Sequence, residues 1–220
     1  MSKKIIDIAD AVSKIEDGMT IMVGGFLGTG TPHTIVDAIV KKGVKNLTII
    51  SNDTGIKDSG VGRFIYNNMV KKVITSHIGT NPETGRQMNE KEIEVELVPQ
   101  GTLAERIRSG GAGLGGVLTP TGLGTIVADG KQIIEVDGKQ FLLEKPLRAD
   151  IAILLGHTVD TKGNIIYANT ARNFNPLMAT AADIVIVEAE NIVEVGSINP
   201  NEVVTPRIFV DHIVGSDYNG

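Results

Sequence analysis

The chain has 220 residues, 26 glycines, no cysteine and a formal net charge of -5. A chain of this length buries roughly 70% of its unfolded surface without needing a disulfide or a metal, and the missing cysteine excludes thiol nucleophiles, thiolate metal sites and disulfide frameworks together. An acidic balance without a basic block excludes bulk nucleic-acid binding. With no leader-like segment and no apolar run near the roughly 20 residues that span a bilayer, a soluble, cytoplasmic protein is expected.

Ile8, Ala11, Val12 and Ile15 fall at helical spacing, which predicts an amphipathic helix ending near Asp17-Gly18. Met19 to Val23 then reads as a buried parallel strand running into the glycine-rich turn GGFLGTGTP, Gly24 to Pro32. Thr31 and Pro32 suit the N-cap and first position of a helix whose apolar stripe is Ile35, Val36, Ile39 and Val40, closed by Lys41-Lys42-Gly43. Leu47 to Ser51 completes a βαβ unit.

The alternation continues with strands at Lys72 to Ser76 and Ile93 to Val98 and a helix at Thr102 to Ser109. Asp137-Gly138 lies in a period-2 stretch between Ile133 and Leu143, a two-residue hairpin signal, and a second hairpin is expected at Lys162-Gly163-Asn164. Asp150 to Leu155 and Asp183 to Val187 read as core strands, and Ile208 to Val214 is the last apolar segment. The fold class expected is α/β, an open mostly parallel sheet flanked by helices, with a β-hairpin embellishment in the middle of a single domain covering 1–220.

A strand, a glycine turn and a helix N-terminus form an anion-binding geometry, so Gly24 to Gly30 is the first candidate site. The dinucleotide pattern G-x-G-x-x-G fails, because from Gly28 and Gly30 the third glycine position is His33. A nucleotide phosphate loop fails because no Gly-Lys-Ser/Thr follows. Close strand-to-helix packing remains the plain alternative for these glycines. A second glycine-rich stretch after a predicted strand, Pro99 to Gly116, points to one edge of the sheet as a ligand site.

Other residues have structural readings. Thr102 and Glu105 match a capping box, Glu144 suits a buried ion pair with Arg148, and Lys71-Lys72, Arg106 and Arg108 read as solvated charges. The four histidines are scattered, which predicts no metal site, and no G-x-S-x-G elbow occurs.

The glycine turn and its neighbours resemble the α subunit of the family I coenzyme A transferases. Asp17-Gly18, Ile21-Met22-Val23, Gly24-Gly25-Phe26, Gly30 and Pro32 satisfy each position of that family's signature. Further matches are SNDTG (51–55), SHIGTNPETGRQM (76–88), VPQGTLAERIRSGGAGLGG (98–116), LTPTGLGT (118–125), LLEKPLRAD (142–150) and ARNFNP (171–176), close to the whole chain. The resemblance implies transfer of CoA from a short-chain acyl-CoA to a free carboxylate by a ping-pong route through a glutamyl thioester.

It also implies that the nucleophilic glutamate, in a Ser-Glu-Asn-Gly setting, belongs to a separate β subunit, with an α2β2 assembly, CoA thioester as substrate and no permanently bound cofactor. Here Ala189-Glu190-Asn191-Ile192 lacks both the serine and the glycine, and Glu190 reads as an exposed loop residue. Carried over by the resemblance are Gln100 as a donor to substrate carboxylate or oxyanion, Asn52 as a site-lining amide, and Gly24, Gly25, Phe26, Leu27, Gly28, Thr29 and Gly30 as the wall approaching CoA or the acyl group. The competing expectation, by analogy of superfold, is a sugar-phosphate-binding sensor or isomerase-like module.

Overall fold

The computed structural model describes residues 4–217. In chain order it runs α1 (Ile8–Ser13), β1 (Thr20–Val23), α2 (His33–Lys42), β2 (Leu47–Ile50), α3 (Val61–Tyr66), β3 (Val70–Thr75), α4 (Pro82–Asn89), β4 (Glu94–Leu97) and α5 (Gln100–Gly111). There follow β5 (Val117–Thr119), β6 (Ile133–Val136), β7 (Lys139–Glu144), β8 (Ala149–Asp160), β9 (Ile165–Ile166), α6 (Asn175–Met178), β10 (Ala182–Val193) and β11 (His212–Gly215).

The main sheet has the order β11-β10-β8-β1-β2-β3-β4, with β9 paired antiparallel to β8 and all other pairs parallel. Strand β1 is the switch point: Met22 lies between Ile50 of β2 on one side and Ala152 of β8 on the other. In such sheets ligands bind beyond the strands' C-terminal ends where the order reverses. Here that edge carries the segments following β1, β2, β3 and β4.

Because both faces are covered at the centre of the sheet, β1, β2 and the middle of β8 read as apolar runs, whereas the edge strand β4, Glu94–Leu97, alternates and is left partly exposed. Ile21 and Val23 pack with Ile35, Ile39, Phe64 and Ile65 from α2 and α3, whereas Met22 packs with Leu103, Ile107 and Met178 from α5 and α6. Crossovers on one face while the order advances, and on the other after it reverses, are what a right-handed connection rule requires.

Local signals account for most boundaries. Asp7 caps α1 by accepting from the Asp10 N–H at 2.9 Å, Asn81 caps α4 ahead of Pro82, and Gly43 ends α2 with φ 78°. The hairpin turn Asp137-Gly138 has φ of 50° and 73°, as its two-residue loop demands. The embellishment is larger than a hairpin: β5 adds to β7, giving a three-stranded antiparallel sheet β5-β7-β6. The Lys162-Gly163-Asn164 turn joins β8 to β9, fastened by Asp160, which accepts from the Lys162 and Asn164 N–H groups.

Several expectations are corrected. Helix α2 begins at His33, one residue late, with Pro32 at its N-cap and no side-chain cap from Thr31. The Thr31 side chain is turned toward the glycine turns instead, and a Cβ on Gly60 would meet its Cγ2 at 3.2 Å. Helix α5 begins at Gln100, so Thr102 is interior to it, and Glu105 pairs with Arg108 at 2.7 Å rather than closing a capping box.

Arg106 is buried, not solvated. It donates to Glu96 at 2.7 Å and to the Lys145 carbonyl at 2.8 Å. Glu144 is buried as expected, but its partners are Lys131 at 2.6 Å and Arg106 at 3.9 Å, because β7 turns it toward α5; Arg148 faces outward to Asp183. Glu190 lies on β10, not a loop, and pairs with His157 at 2.6 Å. The last apolar segment divides: Arg207–Phe209 is a 3-10 turn that leaves Ile208 77% exposed, and only His212–Gly215 is strand.

Candidate functional site at the strand ends

Phe26-Leu27-Gly28-Thr29 is a closed turn in which the Phe26 and Thr29 N–H groups bond each other's carbonyls at 2.9 and 3.0 Å. Its two central residues, Leu27 and Gly28, have φ of 48° and 89°. Positive φ is ordinary for Gly28 and strained for Leu27. The Leu27 N–H donates to Asp53 Oδ2 at 2.9 Å, which ties the turn to the end of β2.

From the other side the ARNFNP segment clamps the same turn. Asn173 Nδ2 donates to the Thr29 carbonyl, and the buried Asn175 donates to the carbonyls of Gly30 (2.9 Å) and Ala171 (2.8 Å) while its Oδ1 accepts from the Leu155 N–H (3.2 Å). A Cβ on Gly24 would lie 2.7 Å from Asn175 Cγ, and one on Gly30 would lie 2.6 Å from the Ala171 oxygen. Gly24 and Gly30 are therefore close-packing positions, and the plain reading of these two glycines has a geometric basis.

Beside the turn, a cavity of about 370 Å³ is lined by Phe26, Leu27, Asn52, Asp53, Ser76, His77 and Gln100. It draws on the ends of all four strands from β1 to β4 and brings together four of the expected residues. Gln100 Nε2 donates to Asn52 Oδ1 at 2.6 Å, and Ser76 Oγ donates to the Asn52 carbonyl at 2.7 Å. Gly25 and Gly28 line a narrower crevice behind Leu27. Thr29 lies across the turn, where it and Phe26, Thr170 and Asn173 border a second, more apolar hollow of about 560 Å³. Phe26 and Leu27 are 42% and 49% exposed, an apolar tip between the two hollows.

Two findings narrow the chemistry. The N–H groups of Phe26, Leu27 and Thr29 are consumed within the fold, so the turn presents far fewer backbone donors than its glycine content suggests. The N-terminus of α2 is also already occupied: buried Glu188 on β10 accepts from the Ile35 N–H at 3.1 Å and the Thr34 hydroxyl at 2.8 Å. The anion favoured by that helix end is the chain's own carboxylate, which removes the basis for a phosphate cradle there.

Asp53, Ser76, His77, Asn173, Asn175 and Glu188 were not marked as site residues by the sequence. The first five lie inside the SNDTG, SHIGTNPETGRQM and ARNFNP segments, which were a usable signal; Glu188 had none. Among the described residues, no group of three or more histidine and acidic side chains is arranged to hold a metal, and no helix is long and apolar enough to cross a membrane.

An open α/β sheet with amide side chains and a clamped glycine turn at its switch-point edge agrees with what comparison with known proteins finds. Residues 5–216 match the coenzyme A transferase family, and the chain belongs to it. It is 56% identical over 216 residues to the acetate CoA-transferase subunit alpha of Escherichia coli (strain K12), covering 98% of each chain. It is 53% identical over 214 residues to the acetoacetyl-CoA:acetate/butyrate CoA transferase alpha subunit of Clostridium acetobutylicum, covering 97% of this chain and 98% of that one.

Among solved structures, glutaconate coenzyme A-transferase from Acidaminococcus fermentans superimposes with a TM-score of 0.85 at 21% identity, over 96% of this chain and 75% of that chain. An acyl-CoA transferase from E. coli O157:H7 gives a TM-score of 0.85 at 24% identity. The match covers 97% of this chain and 47% of that one, so this chain spans about half its length. These two likenesses concern the fold.

Proposed function

We propose that this chain is the α subunit of a two-subunit CoA-transferase that moves CoA from a short-chain acyl-CoA, such as acetoacetyl-CoA, to acetate or butyrate. It acts as a single domain over 1–220, in the cytoplasm, within an α2β2 assembly, with CoA thioesters as substrates and no permanently bound cofactor. The observation that carries this reading is an incomplete site. The strand-end cavity is furnished with amides, but its one lining carboxylate, Asp53, has both oxygens engaged: Oδ1 by the Gly55 N–H, Oδ2 by Leu27 N–H and Asn52 Nδ2.

A carboxylate bound in this way is a poor nucleophile, which agrees with the family resemblance, by which the attacking glutamate belongs to the partner subunit. That glutamate attacks the thioester carbonyl and expels CoA thiolate, leaving an acyl-glutamyl anhydride. The thiolate then attacks the glutamyl carbonyl, releasing the first carboxylate and forming a glutamyl-CoA thioester, and the second acid reverses these steps. Gln100 uses one Nε2 hydrogen on Asn52 and has the other for the substrate carboxylate or the developing oxyanion. The turn bearing Phe26 and Leu27 forms an apolar wall that helps keep water from the hydrolysable intermediates.

The test is CoA exchange between acetoacetyl-CoA and acetate, followed by loss of enolate absorbance, with this chain alone and with its co-purified partner subunit. Turnover only in the mixture is expected. Full turnover by this chain alone refutes the division of labour, and none in either refutes the assignment. The sugar-phosphate alternative has lost its physical basis, since Glu188 fills the helix N-terminus such a ligand would use.

A further inference from the structure

We infer that Asp53 is a positioning residue that sets the hydrogen-bond direction of Gln100 through Asn52. The inference rests on the proposed role of Gln100 and adds a residue to that site. Asp53 is 6% exposed and Asn52 1% exposed, so neither amide orientation nor carboxylate contact is left to solvent.

The direction follows from donor and acceptor chemistry. An ionised carboxylate only accepts, so the Asn52 atom 2.7 Å from Asp53 Oδ2 must be Nδ2. That turns Asn52 Oδ1 toward Gln100, and because Oδ1 only accepts, the Gln100 atom 2.6 Å away must be Nε2. Gln100 consequently faces the cavity in one sense, with its second N–H and its Oε1 in fixed places. Without the carboxylate, both amides can turn over, and Gln100 can present an oxygen where a substrate oxygen needs a donor.

Asp53 is itself fixed by other bonds. Its Oδ1 accepts from the Gly55 N–H at 2.7 Å, and its Oδ2 also accepts from Leu27, the strained residue of the glycine turn. One carboxylate thus orients the amide pair and anchors the apolar tip on the opposite wall of the same cavity. These two arms predict different behaviour on mutation, which makes the relay testable.

In the assembled two-subunit enzyme, Asp53→Asn keeps the size and one acceptor but removes the obligation on Asn52. It is expected to lower kcat about tenfold or more, toward the level of Gln100→Ala, with a smaller change in KM for the acyl-CoA. In Asp53→Asn/Gln100→Ala, whose remaining side-chain oxygen at position 53 can still accept from the Leu27 N–H, kcat should stay within about twofold of Gln100→Ala alone. A second full loss on top of Gln100→Ala would mean that Asp53 acts independently of Gln100 and would overturn the inference.

Should Asp53→Asn fail to fold or assemble, Asn52→Ala interrupts the relay while leaving the bonds to Leu27 and Gly55 in place. It should match Gln100→Ala and be non-additive with it; full activity overturns the inference. A readout independent of turnover is the ¹⁵N resonance of the Gln100 side-chain amide in this chain, which should move on Asp53→Asn, although Asp53 acts on Gln100 only through Asn52, as well as on Asn52→Ala. An unmoved resonance rejects the relay even if transferase activity is present. A moved resonance in an enzyme without transferase activity rejects the functional assignment instead.

Discussion

Gly24→Ala is a substitution whose cost comes from a single neighbour. Gly24 lies outside the left-handed region, so an added methyl brings no backbone strain there, but it would overlap the carboxamide of Asn175, with Cγ 2.7 Å away. That carboxamide is fully buried and holds the Leu155 N–H and the Gly30 and Ala171 carbonyls. Overpacking of this kind costs about 1–3 kcal/mol, and displacing Asn175 adds about 1 kcal/mol for each hydrogen bond lost. A total near 4–6 kcal/mol is expected for Gly24→Ala, and about 3 kcal/mol for Asn175→Ala, which loses the three bonds without the clash. In Gly24→Ala/Asn175→Ala the methyl occupies space the carboxamide has left, so the double variant should cost little more than Asn175→Ala, a coupling of about 4–5 kcal/mol that cancels most of the Gly24→Ala cost. Urea unfolding of the four chains, with the m-value checked for constancy, measures this cycle. Additive costs, or a Gly24→Ala penalty below about 0.5 kcal/mol, would refute the claim that Asn175 sets the glycine at this position.

The centre of the sheet is legible because its strands there are buried on both faces. Ile21, Met22 and Val23, or Ile151 to Leu154, cannot be mistaken for a surface when every second residue fills an opposite core. Turns with obligatory backbone signs, such as Asp137-Gly138 and Gly43, were equally plain. What escaped were contacts between distant segments. The cap of α2 is Glu188, which reaches Thr34 across 154 positions of chain, and local pattern offered only Thr31 for that role. Arg106 read as a surface charge because Glu96 and Glu144 reach it from different strands. Asn52 and Gln100 are each legible in their own segments, but their 2.6 Å bond follows β2 and β4, strands separated by β3. Two interstrand steps of about 4.8 Å are spanned by two amide side chains, and only the strand order makes that distance known.

Gln100→Ala should lower kcat about tenfold or more while leaving the stability of the chain nearly unchanged, since its side chain is exposed and makes one bond; unchanged kcat would make this subunit a scaffold. His212 on β11 has its pKa lowered by burial, then by Lys14 and Lys4 against the opposing pull of Asp211, and its Nδ1 is buried without a partner. Because the folded chain binds that proton less readily than the unfolded chain, stability falls as pH drops through about 6.5. His212→Gln should flatten the unfolding free energy between pH 7 and 5, and an unchanged slope would reject this account.

Glu188 supplies the last test, because it stands where a helix end would otherwise attract an anion. Glu188→Ala strips a charged acceptor from the buried Ile35 N–H and the Thr34 hydroxyl, at about 2–5 kcal/mol. Glu188→Gln keeps an acceptor for Ile35 and forfeits chiefly the charge–dipole attraction, about 1–2 kcal/mol. If the carboxylate is the anion that this helix end would otherwise take from solution, sulfate should raise the Tm of Glu188→Ala by more than it raises that of the native chain. Sulfate stabilises most proteins by exclusion from their surface, so the difference between the two chains is the measurement. Equal increments would mean that losing Glu188 opens no anion site, and that Glu188 is a packing residue whose charge is incidental.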